Sequence, residues 1–189
     1  MPNSKDQSPI VSDNGTGTKA WRVGGELHRI DGPAYEASNG YKEWHVGGRL
    51  HRIDGPAIEA SDGYKAWWLN GKLHRIDGPA IEYSDGSKSW FVDGKYHRIN
   101  GPAYEGFGGY KEWHVDGKLS RIDGPAIEGT GGNKEWFVDG KRHRIGGPAI
   151  EDAHGHKGYY LFGEKYDDVE VFRVASDMFL KLFPQLRSK

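Results

Sequence analysis

The sequence predicts an all-β repeat array, an elongated stack of β-hairpins that ends in a capping α-helix. Three observations predict this class. A lysine recurs every 23 residues from Lys19 to Lys157. Each interval contains a stretch of alternating large and variable residues, followed by a two-residue turn that ends in glycine. Only the segment after Gly163 has the apolar periodicity of a helix.

The composition narrows the class of protein further. The 29 Gly and 9 Pro among 189 residues indicate frequent turns. A formal net charge of −1 argues against nucleic acid as a partner. Because there is no cysteine, disulfides, thiol catalysis and cysteine-ligated metals are excluded. No apolar run approaches the ~20 residues that cross a bilayer, so we expect a cytoplasmic protein without a membrane partner.

The repeat spacing predicts three regions. Residues 1–18 precede the first repeat and are expected to form a flexible leader. Residues 19–163 are expected to form the repeat domain, with six full repeats and a modified seventh hairpin. Residues 164–189 are expected to form the capping helix and a tail. Because no cap precedes the first repeat, the N-terminal sheet edge is expected to be uncovered and available for self-association.

Within one repeat, each segment has a predicted role. The Lys-x-Trp-x-Val segment alternates as a strand does, and the pair Asn70-Gly71 suits the positive φ angles of a type I′ turn. The Asp-Gly-Pro step, as at 54–56, bends the chain because proline cannot donate to a ladder. A short Ala-Ile-Glu segment then leads to the next hairpin. The repeated tryptophan of each unit is expected to form the core.

The C-terminal segment predicts an amphipathic helix. Asp167 or Asp168 can cap its first turn, and Pro184 ends it after Lys181. The helix is expected to cover apolar surface that a further repeat would have buried. One face is predicted to hold Val169, Phe172, Ala175, Phe179 and Leu182.

Arginine and glutamate recur in step through the six full repeats, from Arg29 with Glu36 to Arg144 with Glu151. We expect each arginine to meet its glutamate, because the guanidinium fork matches a carboxylate. The alternative is a basic stripe for phosphates. A histidine column is interrupted by Ser120 in the fifth repeat, which favours a structural hydrogen bond over a metal site.

The residues that follow the repeated tryptophan are the predicted binding residues. They are large, planar and not identical, and they alternate to the face opposite the tryptophan. On an open face they form a column of stacking platforms for a partner; if the hairpins curl, the same column is a second packed layer. The seven residues are Arg22, His45, Trp68, Phe91, His114, Phe137 and Tyr160.

The sequence lacks the motifs of catalysis. It contains no Gly-rich phosphate loop followed by Lys-Ser/Thr, no His-Glu-x-x-His and no Gly-x-Ser-x-Gly. Candidate acids and bases are spread evenly along the repeats and do not converge on one pocket. We therefore expect a non-enzymatic protein with no catalytic residues, no cofactor and no metal site.

The repeat resembles the MORN repeat, which also has 23 residues and an aromatic–x–x–Gly-Lys–x–His hairpin; Trp44 to His51 and Trp113 to Lys118 match this core. The chain departs from it in having His-Arg-Ile-Asp-Gly-Pro-Ala, as at 74–80, and in this form is similar to repeat proteins of large bacteriophages and giant viruses. The resemblance implies a MORN-like solenoid that serves as a scaffold for protein–protein interaction or self-assembly.

Two alternatives follow from the same resemblance. A viral repeat protein is expected to act in the host cytoplasm as a counter-defence protein that inhibits a host factor or sequesters a small ligand. The MORN name also implies a phospholipid-surface module, which is the weaker alternative because no basic cluster accompanies the repeats.

Overall fold

The structure is a computed structural model that describes residues 9–184. The chain forms two compact units, one up to Lys95 and the other from Tyr96 onward. We number the repeats by their first lysine, so that repeat 1 begins at Lys19 and repeat 7 at Lys157. Residues 1–8 of the predicted leader and residues 185–189 of the predicted tail lie outside the described part of the chain.

Each full repeat supplies two kinds of short strand to a long antiparallel sheet, and repeat 7 supplies only the first kind. A strand of the first kind begins at the repeated lysine. A strand of the second kind consists of the repeated glutamate and the residue before it. The bounds of the first kind are Lys19–Val23 (β2), Lys42–Glu43 (β5), Lys65–Ala66 (β9), Lys88–Ser89 (β13), Lys111–Glu112 (β17), Lys134–Glu135 (β21) and Lys157–Leu161 (β25). Those of the second are Tyr35–Glu36 (β4), Ile58–Glu59 (β8), Ile81–Glu82 (β12), Tyr104–Glu105 (β16), Ile127–Glu128 (β20) and Ile150–Glu151 (β24).

The remaining strands form the hairpins that project from this sheet, together with one strand at each end. Their bounds are Ile10–Asp13 (β1), Glu26–Leu27 (β3), His45–Val46 (β6), Arg49–Leu50 (β7), Trp68–Leu69 (β10), Lys72–Leu73 (β11), Phe91–Val92 (β14), Lys95–Tyr96 (β15), His114–Val115 (β18), Lys118–Leu119 (β19), Phe137–Val138 (β22), Lys141–Arg142 (β23) and Glu164–Tyr166 (β26). A short 3₁₀ turn spans Phe107–Gly109, and one helix, α1, spans Val169–Leu182.

The strand order follows the chain in both units. In the first unit it is β1-β2-β4-β5-β8-β9-β12-β13, and in the second it is β16-β17-β20-β21-β24-β25-β26. The register places charges of opposite sign side by side, as where Lys42 lies opposite both Glu36 and Glu59. Such cross-strand pairs favour the register. The predicted repeat of β-hairpins with one C-terminal helix is confirmed.

The hairpin turns have the predicted chemistry. Asn70 and Asp93 have φ angles of 51° and 50°, and the glycines that follow them have φ angles of 79°. Two successive positive φ angles are the requirement of a type I′ turn, which glycine and Asn or Asp meet at low cost. In repeat 7, Phe162 has a φ of 49° at the same position, a conformation that is strained for an aromatic residue.

The tightest part of the core is not the tryptophan column. The six repeated tryptophans are half-buried, whereas the repeated alanine of Gly-Pro-Ala is fully buried. This alanine packs inside the bend, where its backbone bonds the flanking strands, as from Trp44 N–H to the Ala57 oxygen and from Ala57 N–H to the Ala66 oxygen, both at 2.8 Å. A side chain larger than a methyl group has no room there. The alanines with no exposed surface are Ala34, Ala57, Ala80, Ala103, Ala126 and Ala149.

The N-terminal edge differs from the prediction. Strand β1 pairs with β2 over four residues, from Ile10 opposite Arg22 to Asp13 opposite Lys19. The turn between them is held by Asn14, whose Oδ1 accepts from Thr16 N–H at 3.0 Å. Residues of the expected leader therefore add a strand to the first repeat, and β1, in place of β2, is the terminal strand of the sheet among the described residues.

The C-terminal helix α1 begins as predicted. Asp168 is its N-cap, and the Asp168 carboxylate accepts from the N–H groups of Glu170 and Val171 at 2.8 and 3.3 Å. Phe172 is fully buried against Tyr159 and Tyr166 of the last hairpin, with ring centroids 4.9 and 5.8 Å apart. No helix among residues 9–184 is long and apolar enough to cross a membrane.

Candidate interaction surface

The bend of each repeat is organised around one arginine, and we call this group of residues the arginine corner. In repeat 2, Arg52 Nη1 donates to Glu59 Oε1 at 2.9 Å and to the Pro56 oxygen at 3.1 Å, while Arg52 Nε donates to Asp54 Oδ1 at 3.0 Å. The guanidinium lies 4.0 Å above the ring of Trp44. One side chain therefore joins four parts of the repeat.

The predicted arginine–glutamate pairing is confirmed in all six full repeats. The distances between arginine Nη1 and glutamate Oε1 range from 2.6 Å, in Arg144–Glu151, to 3.5 Å, in Arg29–Glu36. The glycine of the bend belongs to the corner as well. A Cβ atom at Gly55 would lie 2.9 Å from the Arg52 Cζ atom. The guanidinium is therefore held closely between a tryptophan ring and a glycine backbone.

Four corners present an ionised aspartate at the surface. The pKa of Asp31, Asp54, Asp77 and Asp123 is held below its ordinary value, chiefly by the hydrogen bond from the neighbouring arginine. The same arginine also faces a glutamate, and that glutamate lies opposite lysines of the sheet, as Glu59 lies opposite Lys42 and Lys65. The exposed charge of these corners is therefore that of the aspartate, which disfavours phosphate groups beside it.

An isoleucine directly follows each corner arginine, and it points to solvent in the first five repeats. Ile30, Ile53 and Ile76 of the first unit are each 86% exposed, and Ile99 and Ile122 of the second unit are 79% and 69% exposed. We call the three isoleucines of the first unit, Ile30, Ile53 and Ile76, the isoleucine column. Isolated exposed isoleucines are common, but a repeated row of them is a feature of interaction surfaces.

A groove separates consecutive corners in the first unit. It has a volume of about 620 Å³ and lies between the bend of repeat 1 and that of repeat 2. Ile30, Ile53, Asp31, Asp54 and Trp44 are among the residues that line it. Equivalent residues of neighbouring repeats lie two strands apart, or roughly 10 Å.

The predicted column of stacking platforms is mostly packed inside. Three of the seven residues, His45, Phe91 and His114, are buried. Trp68, Phe137 and Tyr160 are half-buried. Only Arg22, in repeat 1, is exposed. The condition for using these residues as an open platform is therefore not met, and the alternative of a second packed layer describes six of the seven: His45, Trp68, Phe91, His114, Phe137 and Tyr160.

Polar atoms in this layer form two similar networks. The Glu112 carboxylate accepts from Tyr110 Oη at 2.6 Å and contacts His114 Nε2 at 2.7 Å. Glu43 joins Tyr41 and His45 in the same way. The hydrogen bond with His114 holds the pKa of Glu112 below its ordinary value, and burial raises the pKa of Tyr110. Within residues 9–184, the buried Nδ1 atoms of both histidines have no hydrogen-bond partner.

The histidine column performs the predicted structural role. His51 Nδ1 accepts from the Asn70 N–H at 3.2 Å, across to the turn of the next repeat. Ser120 replaces histidine in repeat 5, where its Oγ accepts from the Asp139 N–H at 3.3 Å. One acceptor atom at this position is therefore enough. No group of three or more His, Asp or Glu residues that could hold a metal ion occurs in the described part of the chain.

Sequence reasoning missed the isoleucine column as a surface. The recurrence of isoleucine after the arginine in all six full repeats was visible in the sequence. The direction of its side chain was not, because the bend interrupts the alternation of the strands. Comparison of the sequence with models of known protein families finds no match, and comparison with curated protein sequences finds none. The resemblance to MORN repeats accordingly stays a prediction.

Proposed function

We propose that the protein is a non-enzymatic binding or scaffold protein whose isoleucine column, with the groove between Ile30 and Ile53, holds a segment of a protein partner. The observation that carries the proposal is the 86% exposure of the isoleucine in each of the three successive repeats of the first unit. The carboxylates beside these isoleucines select a segment in which basic residues alternate with apolar ones. A cytoplasmic location and the absence of a cofactor are part of the same proposal.

The exposed aspartates of the corners disfavour one of the remaining alternatives. A counter-defence protein that inhibits a host factor would use the same surface as a scaffold. A phospholipid surface is disfavoured, because ionised aspartates line the groove and anionic headgroups attract basic residues. We therefore propose a protein segment as the ligand rather than a membrane or a nucleic acid.

Selection from a displayed library of random peptides tests this proposal. The full chain should enrich peptides that combine apolar and basic residues. The double variant Ile53→Ser/Ile76→Ser should bind these peptides about tenfold more weakly, since each substitution removes apolar surface that the peptide would bury. Because both isoleucines are 86% exposed, the variant should unfold at nearly the same urea concentration as the original protein.

A matched control is available on the same molecule. Ile10 in β1 is 76% exposed but lies outside the isoleucine column, so that Ile10→Ser should leave peptide binding unchanged. Enrichment of acidic peptides, or equal binding by the original protein and the Ile53→Ser/Ile76→Ser variant, would contradict the proposed function.

A further inference from the structure

Helix α1 has a second apolar face that the last hairpin does not cover. Its inner face holds the buried Phe172 and the half-buried Phe179, which lies 5.2 Å from the Phe162 ring. The outer face carries four apolar side chains at spacings of three, four and four residues, which is one stripe of a helix. These four residues, the outer stripe, are Val171, Val174, Met178 and Leu182, exposed by 56%, 61%, 58% and 71%.

The outer stripe continues onto the neighbouring hairpin. A shallow pocket of about 380 Å³ lies between them, and Met178 and Leu182 line it together with Phe162 and Tyr166. Phe162 is 45% exposed although it holds a strained positive φ. Leu182 was predicted on the inner face, but its exposure assigns it to the outer stripe. The apolar surface is thus wider than the helix alone.

The charges beside the outer stripe alternate in sign along the helix. Glu170, Arg173, Asp177 and Lys181 are all exposed, and at 100° per residue they form one flank of the stripe. The order of signs is negative, positive, negative, positive. When the helix is laid against a copy of itself running in the opposite direction, every charge meets the opposite sign.

The antiparallel arrangement aligns both sets of residues at once. Glu170 then lies beside Lys181 of the second copy, and Arg173 lies beside Asp177 of the second copy. In the same register, Val171 meets Leu182 of the second copy and Val174 meets Met178 of the second copy. In a parallel two-fold arrangement the charged flanks of the two copies would lie on opposite sides of the contact and would not meet. The flank therefore favours a two-fold axis perpendicular to the helices.

We propose that a second copy of this chain docks on the outer stripe, with the two α1 helices antiparallel. The stripe covers residues 171–182, or about 16 Å of helix at 1.5 Å per residue. This is small against interfaces that bury about 1,600 Å², so that the dimer is reversible and forms at micromolar concentrations. The proposal rests on α1 alone and is independent of the isoleucine column.

Sedimentation velocity of the full chain, from about 1 µM to about 200 µM, covers the range in which so small an interface dissociates. We expect a monomer–dimer equilibrium. Met178→Glu should abolish the dimer, since it places a charge in the centre of the stripe, while Ile53→Glu, on the isoleucine column, should leave it intact. Circular dichroism should show that both variants keep their secondary structure.

Charge reversal distinguishes this interface from any other apolar contact. Glu170→Lys and Lys181→Glu should each weaken the dimer about threefold to tenfold at low salt. The double variant should restore it, and a mixture of the two single variants should form heterodimers in preference to either homodimer. Positions 170 and 181 are eleven residues apart on one helix, or about 16 Å, so that rescue cannot arise within a chain.

Three results would overturn the inference. They are a monomer at every concentration, a dimer that survives Met178→Glu, and a double variant that associates no more tightly than the single variants. None of them bears on peptide binding, because the library selection depends on Ile53 and Ile76. Failure of this inference and failure of the proposed function are therefore distinguishable.

Discussion

The corner arginine and the isoleucine that follows it are neighbours in the sequence of every full repeat, but they differ in their contacts. Arg75 meets Glu82, Asp77, a proline carbonyl and a tryptophan ring. Ile76, the next residue, leaves 86% of its surface exposed. A residue can therefore recur in every repeat for two different reasons. Contacts inside the repeat explain the recurring arginine, and the proposed binding of a protein segment would explain the recurring isoleucine.

The largest expected effect separates these two residues directly. Arg75→Ala should lower the free energy of unfolding by about 2 to 4 kcal/mol, because it leaves a half-buried glutamate without its partner and uncovers a tryptophan ring. Ile76→Ala should change it by less than about 0.5 kcal/mol. Urea unfolding followed by tryptophan fluorescence measures both, and equal shifts of the two midpoints would refute the distinction.

A smaller effect tests whether the glycine belongs to the corner. A Cβ at Gly78 would lie 2.9 Å from Arg75 Cζ, so that Gly78→Ala should cost about 1 to 2 kcal/mol by displacing the guanidinium. In a background that already carries Arg75→Ala, the same change should cost much less. The same urea titrations, run as a double-mutant cycle, give the interaction energy. Simple additivity would show that the glycine serves another purpose.

A third repeated position, the histidine that precedes the arginine, is expected to make the stability of the second unit depend on pH. His97 Nδ1 and His143 Nδ1 both accept from a backbone N–H at 3.2 Å, of Asp116 and Phe162 respectively, but only His97 Nδ1 also faces a carboxylate at this position, that of Asp116 at 3.0 Å. Burial lowers the pKa of His143. The unfolded chain therefore takes up this proton first, near pH 6.5. The contribution of His143 to stability is complete above that pH and is lost as the pH falls toward the folded pKa.

The variant His143→Ser provides the control, because Ser120 performs the same role in repeat 5. Melting temperatures at about pH 7.5 and about pH 5.5 bracket the relevant range. The original protein should lose more stability between these two conditions than the variant does. Identical losses would show that His143 contributes nothing to the pH response.

The smallest effect concerns the packed layer. The buried Trp68 Nε1 has no hydrogen-bond partner among residues 9–184, and leaving a donor unsatisfied costs about 1 to 3 kcal/mol. Trp68→Phe removes this cost while it loses apolar volume, so that thermal melts should differ by less than about 0.5 kcal/mol of stability. Trp67→Phe should cost more, because Arg75 lies 4.0 Å above that ring. Equal costs would contradict this account.

Much of the fold followed from local rules. The 23-residue spacing, the Asn-Gly and Asp-Gly turns and the Asp168 cap each depend on a few adjacent residues, and the structure has all three. The arginine–glutamate pairing also followed, because two complementary side chains recurred in step. Such features are fixed by covalent geometry and by charge, which sequence displays directly.

The errors arose where the answer depended on the direction of a side chain after a bend. Tryptophan was expected to form the core because it is large, but the bend leaves room there only for the methyl group of alanine, as at Ala57. The residues after tryptophan were left as either an open platform or a packed layer, and among them Phe91 is buried, whereas Ile53 beyond the turn is exposed. Period-two alternation is interrupted at each bend, so that it cannot assign a face beyond that point.

The reach of the hydrogen bonds between repeats has a consequence for folding. These bonds join residues that are close in sequence: Ala57 N–H and the Ala66 oxygen are 9 positions apart, and Gly71 N–H and the Leu50 oxygen are 21 apart. Short loops close at a low entropic cost, and rates of folding rise as contacts become more local. During synthesis, a repeat can therefore close once the next hairpin has emerged, well before α1 has been translated.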